Sequence, residues 1–281
     1  MKNWIIAAAL AATPLAGAQA QDAVTPALSA EARDQLDQVL RGEWRSKDSA
    51  RDVYRHPAET LAFFDVEPDM TVVEYAPGGG WYSDILAPYL AEKGRFIAVQ
   101  LPDAEGVPEG YRKNAAAGAA AFPGKLAERT GLSADGIPSY VGGDLPESLD
   151  DAVDRVLVIR MMHNLMRWGV ADRELSEWRR VLKPGGMLGI VQHRAKPDAS
   201  ADYANGTKGY LRQQDVVDFV QSQGFELVGK SEANANPADS ADWENGVWTL
   251  PPSLALKDQD RAKYEGIGES DRMTLLFRKR P

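Results

Sequence analysis

Residues 71 to 83 read TVVEYAPGGGWYS, and this stretch decides how the rest of the chain is interpreted. An apolar run ends in Glu74, a loop with three consecutive glycines follows, and a stretch that favours a helix comes next. Glycine loses more backbone freedom on folding than any other residue, so three in a row need a physical reason. The pattern predicts either a very tight turn or a loop that a ligand approaches closely.

From Thr71 onward the chain alternates between strand-like and helix-like segments. Helix candidates end at glycine stops and lie at Tyr82–Glu92, Tyr111–Arg129, Ala171–Leu182 and Gln213–Gln223. Seven strand candidates are rich in Val, Ile and Leu: Thr71–Tyr75, Arg95–Gln100, Ser139–Val141, Arg155–Met161, Met187–Gln192, Glu226–Lys230 and Met273–Arg278.

The alternation predicts an α/β fold, with a mostly parallel seven-stranded sheet and helices on both faces. A long irregular segment, Ser231–Asp271, joins the last two strands without a clear helix. That break in the pattern predicts an antiparallel pair at the sheet edge. The expected organisation is one α/β domain over residues 57–281, preceded by an N-terminal helix and lid segment over residues 21–56.

The glycine loop is expected where open parallel sheets bind ligands, beyond the carboxyl ends of the strands. Its spacing differs from the G-x-G-x-x-G fingerprint of dinucleotide-binding loops, which disfavours a nicotinamide-dependent reductase. Counted from the acid, the loop instead places Glu74, Ala76, Gly78 and Gly80 at every second position.

This spacing resembles motif I of the class I S-adenosylmethionine-dependent methyltransferases. Further landmarks agree in order over about residues 45 to 230: FIAVQLPD, YVGGD, DRVLVIRMMHNL and VLKPGGMLGIVQH. The resemblance implies a Rossmann-like fold, S-adenosylmethionine as cofactor and methyl transfer to a small or medium-sized acceptor. The stretches RDVYRHPAETLAFF and PGGGWYSDILAPYLA also resemble a narrower subgroup of exported, predicted methyltransferases.

The resemblance also implies which residues around the loop hold the cofactor. Glu74 would help to hold its amino group, while Ala76, Gly78 and Gly80 would let the methionine part lie against the chain. The backbone from Arg160 to Met162 would face the methionine end, and the two methionines at positions 161 and 162 would wall the pocket.

Two further positions would hold the nucleoside part of the cofactor. Asp144, in YVGGD, would accept a hydrogen bond from the adenine amino group. At the end of the second strand, Gln100 stands where the family usually has an acid that holds both ribose hydroxyls. An amide can still donate and accept hydrogen bonds there, but it carries no charge.

The candidates for chemistry are mostly histidines, because a base assists methyl transfer when the acceptor must lose a proton. His163 follows the fourth strand, and it is interpreted either as a base or as a loop-capping residue. His56, with Tyr54 and Arg55 beside it, belongs to the expected lid, where a contact with cofactor or acceptor and a purely structural role both remain open. For His193, at the end of the fifth strand, a structural role is favoured.

The first twenty residues have a positive start, a short apolar run and the small-residue pattern Ala18-Gln19-Ala20. These features are typical of a signal peptide, so we expect cleavage after Ala20 and a periplasmic or secreted chain without a lasting membrane anchor. The apolar run is too short to span a bilayer.

Composition narrows the function further. A formal net charge of -9 disfavours nucleic acid as a partner, since phosphate binding needs clustered basic residues. There is no Cys, and the three histidines lack metal-ligand spacing, so no metal site is expected. Because the supply of S-adenosylmethionine outside the cytoplasm is uncertain and Gln100 departs from the family pattern, a non-catalytic ligand-binding protein on the same fold remains the alternative.

Overall fold

The computed structural model of the protein describes residues 28–281. The expected signal peptide and its cleavage site after Ala20 lie outside this range. Within it, no helix is both long and apolar enough to cross a bilayer.

Seven strands form one sheet in the order β3-β2-β1-β4-β5-β7-β6. Strands β1 to β5 are mutually parallel, and β7 runs antiparallel to both of its neighbours. This confirms the predicted α/β fold, including the antiparallel pair at the edge. The bounds are β1 Thr71–Tyr75, β2 Arg95–Gln100, β3 Ser139–Val141, β4 Val153–Ile159, β5 Leu182–His193, β6 Phe225–Ser231 and β7 Arg272–Lys279.

The α-helices of the described residues flank this sheet, and several begin or end where the sequence signals them. Pro57 occupies the first turn of its helix, where its missing N–H costs nothing. The bounds are α1 Ala30–Leu40, α2 Asp52–Arg55, α3 Pro57–Phe63, α4 Ser83–Leu90, α5 Glu109–Thr130, α6 Met162–Arg167, α7 Ala171–Val181, α8 Gln213–Ser222 and α9 Arg261–Ile267.

Successive side chains of the central strands point to opposite faces, and each face carries its own core. Val73 faces a cluster that includes Trp178 of α7 and Val216 of α8. Its neighbour Val72 faces the other cluster, which includes Leu86 of α4. Strands buried on both faces explain why the sequence shows continuous apolar runs there instead of alternation.

The N-terminal segment packs on the second of these faces. The Ser29 hydroxyl accepts a hydrogen bond from the Ala32 N–H at 3.1 Å and caps α1. Leu36 of α1 is 2% exposed and belongs to the same apolar cluster as Leu86. From residue 28 onward this segment is therefore continuous with the core of the α/β domain.

The connection between β6 and β7 is less irregular than the sequence indicates. It contains α9 and a short 3-10 turn over Gly246–Thr249. Val247 from that turn and Tyr210 belong to a third, smaller apolar cluster. Tyr264 is the one buried residue of α9, so this helix shows no apolar period that the sequence pattern could have indicated.

Candidate functional site

The glycine loop turns sharply at the carboxyl end of β1. Ala76 has a φ of 50°, Gly78 of 58° and Gly80 of 86°, all in the left-handed region. The Ala76 N–H donates to the carbonyl of Val99 in β2 at 2.7 Å, which fixes the start of the turn. The chain then enters α4, so the loop lies at the edge of the sheet where parallel folds bind ligands.

A cavity of about 260 Å³ opens against this loop. The loop from Ala76 to Gly79 and the side chain of Glu74 form one side of it. The residues that follow β4, Arg160 and Met161, form another. The remaining side is lined by residues of the N-terminal segment, Asp48, Arg51 and Arg55.

Aromatic side chains fasten this covering segment to the loop. The Trp81 indole N–H donates to the carbonyl of Asp48 at 3.1 Å, and the Arg55 guanidinium lies over the Trp81 ring at 4.6 Å. The Trp44 indole N–H donates to the carbonyl of Asp84 in α4 at 2.8 Å. The segment expected to act as a lid therefore covers the loop, and Trp81 anchors it.

Glu74 is buried behind the loop and has an altered acidity. Its carboxyl is 3% exposed and accepts a hydrogen bond from the Ser83 hydroxyl at 2.5 Å. Burial raises its pKa to about 8, with a smaller contribution from the negative charge of Asp84. The carboxyl is therefore mostly neutral at pH 7, and a cationic group beside it would favour its ionised form.

The glycines at positions 78 and 80 have different surroundings. A Cβ on Gly78 would meet only the Ala76 carbonyl oxygen, at 4.0 Å, so this residue borders open space in the cavity. A Cβ on Gly80 would come within 2.3 Å of the Arg129 guanidinium, which is paired with Asp84. Both positions have a left-handed φ, which favours glycine; close packing of Arg129 is a further reason at position 80, whereas at position 78 no neighbouring protein atom adds one.

A second cavity, of about 430 Å³, lies at the carboxyl end of β2. Gln100 and Leu101 line it together with the start of α5, including Tyr111. The side-chain Nε2 of Gln100 is buried and donates to no protein group. A buried donor without a partner is costly, so this amide is suited to a ligand that accepts a hydrogen bond.

The structure separates other residues expected to contact the cofactor. Met161 lines the first cavity, but Met162 is fully buried in the core at the start of α6. The structure therefore corrects the expectation that both methionines wall the pocket. Asp144 is exposed beyond β3, and neither cavity includes it among its lining residues.

None of the three residues expected to carry chemistry lines the first cavity. The ring of Tyr54 lies against Gly268, where an added Cβ would be 2.5 Å from it. His56 has a left-handed φ of 39° and joins α2 to α3. His163 is 5% exposed, with Nδ1 3.2 Å from Gln192 Oε1, and burial lowers its pKa to about 4. His163 is therefore neutral at pH 7.

His193 is the last residue of β5, as the sequence predicts, and it is buried. It lines a small cavity of about 70 Å³ together with Arg160, Trp248 and Ser270. Its Nδ1 lies 2.6 Å from the Ser270 hydroxyl oxygen. Arg160 borders both this cavity and the one at the glycine loop, so Arg160 separates His193 from the candidate site in space.

Sequence reasoning missed the charged residues that surround Glu269. This carboxylate is 4% exposed and accepts from Arg51 Nε at 2.7 Å, Arg55 Nε at 3.2 Å and Arg272 Nη1 at 3.1 Å. Burial alone would raise its pKa, but the guanidinium charges outweigh burial and lower it. More than 200 residues separate Glu269 from Arg51 and Arg55 in the chain, so no local pattern indicates the group.

The described residues also contain no candidate metal site. Among residues 28–281, no group of three or more His, Asp or Glu side chains is placed to hold a metal ion.

Comparison with solved structures identifies the fold. A SAM-dependent methyltransferase from Aquifex aeolicus superposes with a TM-score of 0.51 at 16% identity, covering 88% of this chain and 97% of that one. A Galdieria sulphuraria protein assigned as a sarcosine dimethylglycine methyltransferase gives a TM-score of 0.51 at 15% identity, covering 89% and 98%. The MccD protein gives 0.50 at 13% identity, covering 80% and 96%.

At the level of sequence, no family model matches the chain, and no curated protein matches it significantly. The similarity therefore rests on the seven-stranded sheet, its antiparallel edge pair and the helices around it. The chain has the fold of the class I S-adenosylmethionine-dependent methyltransferases.

Proposed function

We propose that the protein is an S-adenosylmethionine-dependent methyltransferase for a small or medium-sized acceptor. The observation that carries the proposal is the unpartnered, buried Nε2 of Gln100 in a cavity at the end of β2, next to the glycine loop at the end of β1. In this fold the two positions are neighbours on one sheet edge. A ribose hydroxyl would supply the acceptor that this amide lacks.

The other residues of the loop also fit the cofactor. Glu74 would pair with its amino group, and the open space beside Gly78 would admit the methionine part against the backbone. When bound, the cofactor supplies an electrophilic methyl group that an acceptor can take without a covalent enzyme intermediate. The chain would then mainly bring the two molecules into line, which is a large part of such catalysis.

Proton removal from the acceptor is the step for which the site is least equipped. His163 would have to act as a neutral imidazole behind the wall of the cavity, and it remains a candidate base. His193 is also neutral at pH 7, because burial lowers its pKa well below the usual value, and nearby positive charges add to this. An acceptor that is already a nucleophilic anion would need no base, and the site favours that case.

A second candidate function is ligand binding without catalysis. The positive charge of Arg51, Arg55 and Arg160 around the cavity supports it, because a cofactor that is itself cationic gains little there. Binding of S-adenosylmethionine to residues 21–281, measured by calorimetry, separates the two functions. Micromolar binding supports the methyltransferase, and no binding at millimolar concentration supports the alternative.

Gln100→Glu is expected to tighten the binding of S-adenosylhomocysteine by up to about tenfold. A carboxylate accepts from both ribose hydroxyls, and hydrogen bonds to charged groups are worth roughly 1.5–3 kcal/mol against about 1 kcal/mol for neutral ones. A gain of ~1.4 kcal/mol corresponds to a factor of ten. Titration calorimetry of the wild type and the variant under one set of conditions measures the difference.

Gln100→Met is the matched control, because it keeps the length of the side chain and removes its polar atoms. It should bind more weakly than the wild type by several-fold. Equal affinity in all three proteins would mean that position 100 does not contact the ribose.

We further propose that the protein works in the periplasm or outside the cell, because residues 1–20 have the features of a signal peptide. N-terminal sequencing of the protein recovered from the cell envelope is expected to begin at Gln21. Recovery of that protein with Met1 intact would contradict this localisation.

A further inference from the structure

Four arginines and one glutamate form a charged group beside the glycine loop, named here the arginine cluster: Arg51, Arg55, Arg160, Arg272 and Glu269. Three of the arginines share the single carboxylate of Glu269. The fourth, Arg160, forms no ion pair in the described part of the chain, and its buried Nε donates to no protein group. The cluster thus contains far more positive than negative charge.

The charges that border the cavity do not restore the balance. Asp48 is the other carboxylate that lines it, since Glu74 is mostly neutral at pH 7. Four guanidinium groups then face two carboxylates. Burial lowers the pKa of Arg160 to about 9, and repulsion from Arg55 adds to this, but the guanidinium remains charged at pH 7. The four guanidinium groups therefore exceed the two carboxylates, Glu269 and Asp48, by two.

This excess is expensive because most of the cluster is shielded from water. Arg55 is 2% exposed and lines the cavity, yet its Nη2 donates to no protein group. Arg272 is 3% exposed. An unpaired buried charge is strongly destabilising unless a counter-charge arrives. Arg55 and Arg160, which carry these free donors, line the same cavity and are placed to bind one.

The cofactor of the proposed function cannot balance this charge by itself. S-adenosylmethionine brings one carboxylate, but it also brings an ammonium and a sulfonium, so it enters as a cation. It would leave the excess unchanged or raise it. The net counter-charge is therefore expected from the other molecule that the site binds.

We propose that the methyl acceptor carries an anionic group, a carboxylate or a phosphate, which Arg55 and Arg160 bind beside the glycine loop. The identity of this ligand as the acceptor rests on the proposed function; the anion site itself does not. Arginine suits such a group because its planar guanidinium binds two oxygens at once. Arg160 also borders the small cavity that contains His193, so the bound anion would lie between the two cavities.

The test measures the binding of simple anions to residues 21–281. Pyrophosphate, inorganic phosphate and succinate are titrated at constant ionic strength, with chloride as the reference anion. We expect at least one of them to bind and to raise the melting temperature well above the chloride value. A preference for succinate or for the phosphates distinguishes a carboxylate from a phosphate acceptor.

Arg160→Met is the informative variant, because this residue forms no ion pair whose loss would unfold the protein. It should weaken anion binding about tenfold or more, as expected for the loss of one charge-assisted hydrogen bond. Arg278→Met is the matched control, since that arginine lies in a surface pair with Glu226 on the edge strands. It should bind the anions like the wild type.

Titrations with S-adenosylhomocysteine separate this proposal from the proposed function. Anion binding that persists at saturating S-adenosylhomocysteine supports an anionic acceptor. Anion binding that disappears there assigns the arginines to the cofactor's own carboxylate and overturns the proposal. If S-adenosylhomocysteine binds but no anion exceeds chloride, or if Arg160→Met binds anions normally, the proposal also fails while the methyltransferase function stands. If anions bind but S-adenosylhomocysteine does not, the anion site stands and its assignment to a methyl acceptor fails.

Discussion

Gly78→Leu is expected to weaken S-adenosylhomocysteine binding about 100-fold or more while the protein stays folded. A side chain at position 78 would extend into open space of the cavity, because a Cβ there meets only one protein atom, at 4.0 Å. A loss of 100-fold corresponds to roughly 2.7 kcal/mol, within the range for forcing extra carbon atoms into a packed site. Calorimetry measures the affinity, and thermal unfolding measures the stability.

Gly185→Leu is the control for backbone strain. Gly185 has a φ of 75° with no atom within 4 Å of an added Cβ, and it lies near the start of β5, at the end of that strand away from the glycine loop. Both substitutions place a side chain in the left-handed region, which costs about 1–2 kcal/mol. Both proteins should therefore lose similar stability, and only Gly78→Leu should lose binding. Normal binding by Gly78→Leu would mean that no ligand approaches this loop.

Position 78 is a cleaner probe than position 80, although both glycines belong to the spacing that resembles motif I. At Gly80 a larger side chain would displace Arg129 from its pair with Asp84. A loss of binding there would mix a distorted loop with a blocked cavity. The spacing in the sequence marks both glycines. Only the structure shows that Gly80 packs against Arg129 whereas Gly78 borders the open cavity.

The sheet could be predicted from the sequence because its information is local. The central parallel strands are buried on both faces, so they stand out as short runs rich in Val, Ile and Leu. The predicted bounds of β1, β2 and β3 agree with the structure. Strand β4 is shifted by two residues, since Arg160 takes a left-handed φ of 57° and ends the strand before Met161.

The candidate site could be predicted only in part. The loop follows β1 directly and Gln100 is the last residue of β2, so their place at the carboxyl ends of the strands could be predicted. How deeply a side chain is buried could not be predicted. Met161 and Met162 are neighbours in the chain, yet only Met161 lines the cavity. The arginine cluster depends on β7 bringing Arg272 and the preceding Glu269 beside the N-terminal segment, a contact that no local pattern contains.

Glu269→Gln is expected to lower the free energy of unfolding by about 3–5 kcal/mol, the usual cost of breaking a buried ion pair by removing one partner. The amide keeps the shape of the side chain but removes the one buried negative charge that Arg51, Arg55 and Arg272 share. In a chain of this size the change corresponds to a melting temperature lower by roughly 10 °C. Urea unfolding and thermal unfolding both measure it.

Glu226→Gln is the matched control, because it removes the same charge from a pair in which Arg278 and Glu226 are each about half exposed. Such surface pairs contribute about 0–1 kcal/mol, so this variant should unfold almost like the wild type. Equal stability of the two variants would mean that water already screens the positive charge of the arginine cluster. If Glu269→Gln is the less stable, pyrophosphate should restore part of the loss, because it would replace the missing negative charge among the same guanidinium groups.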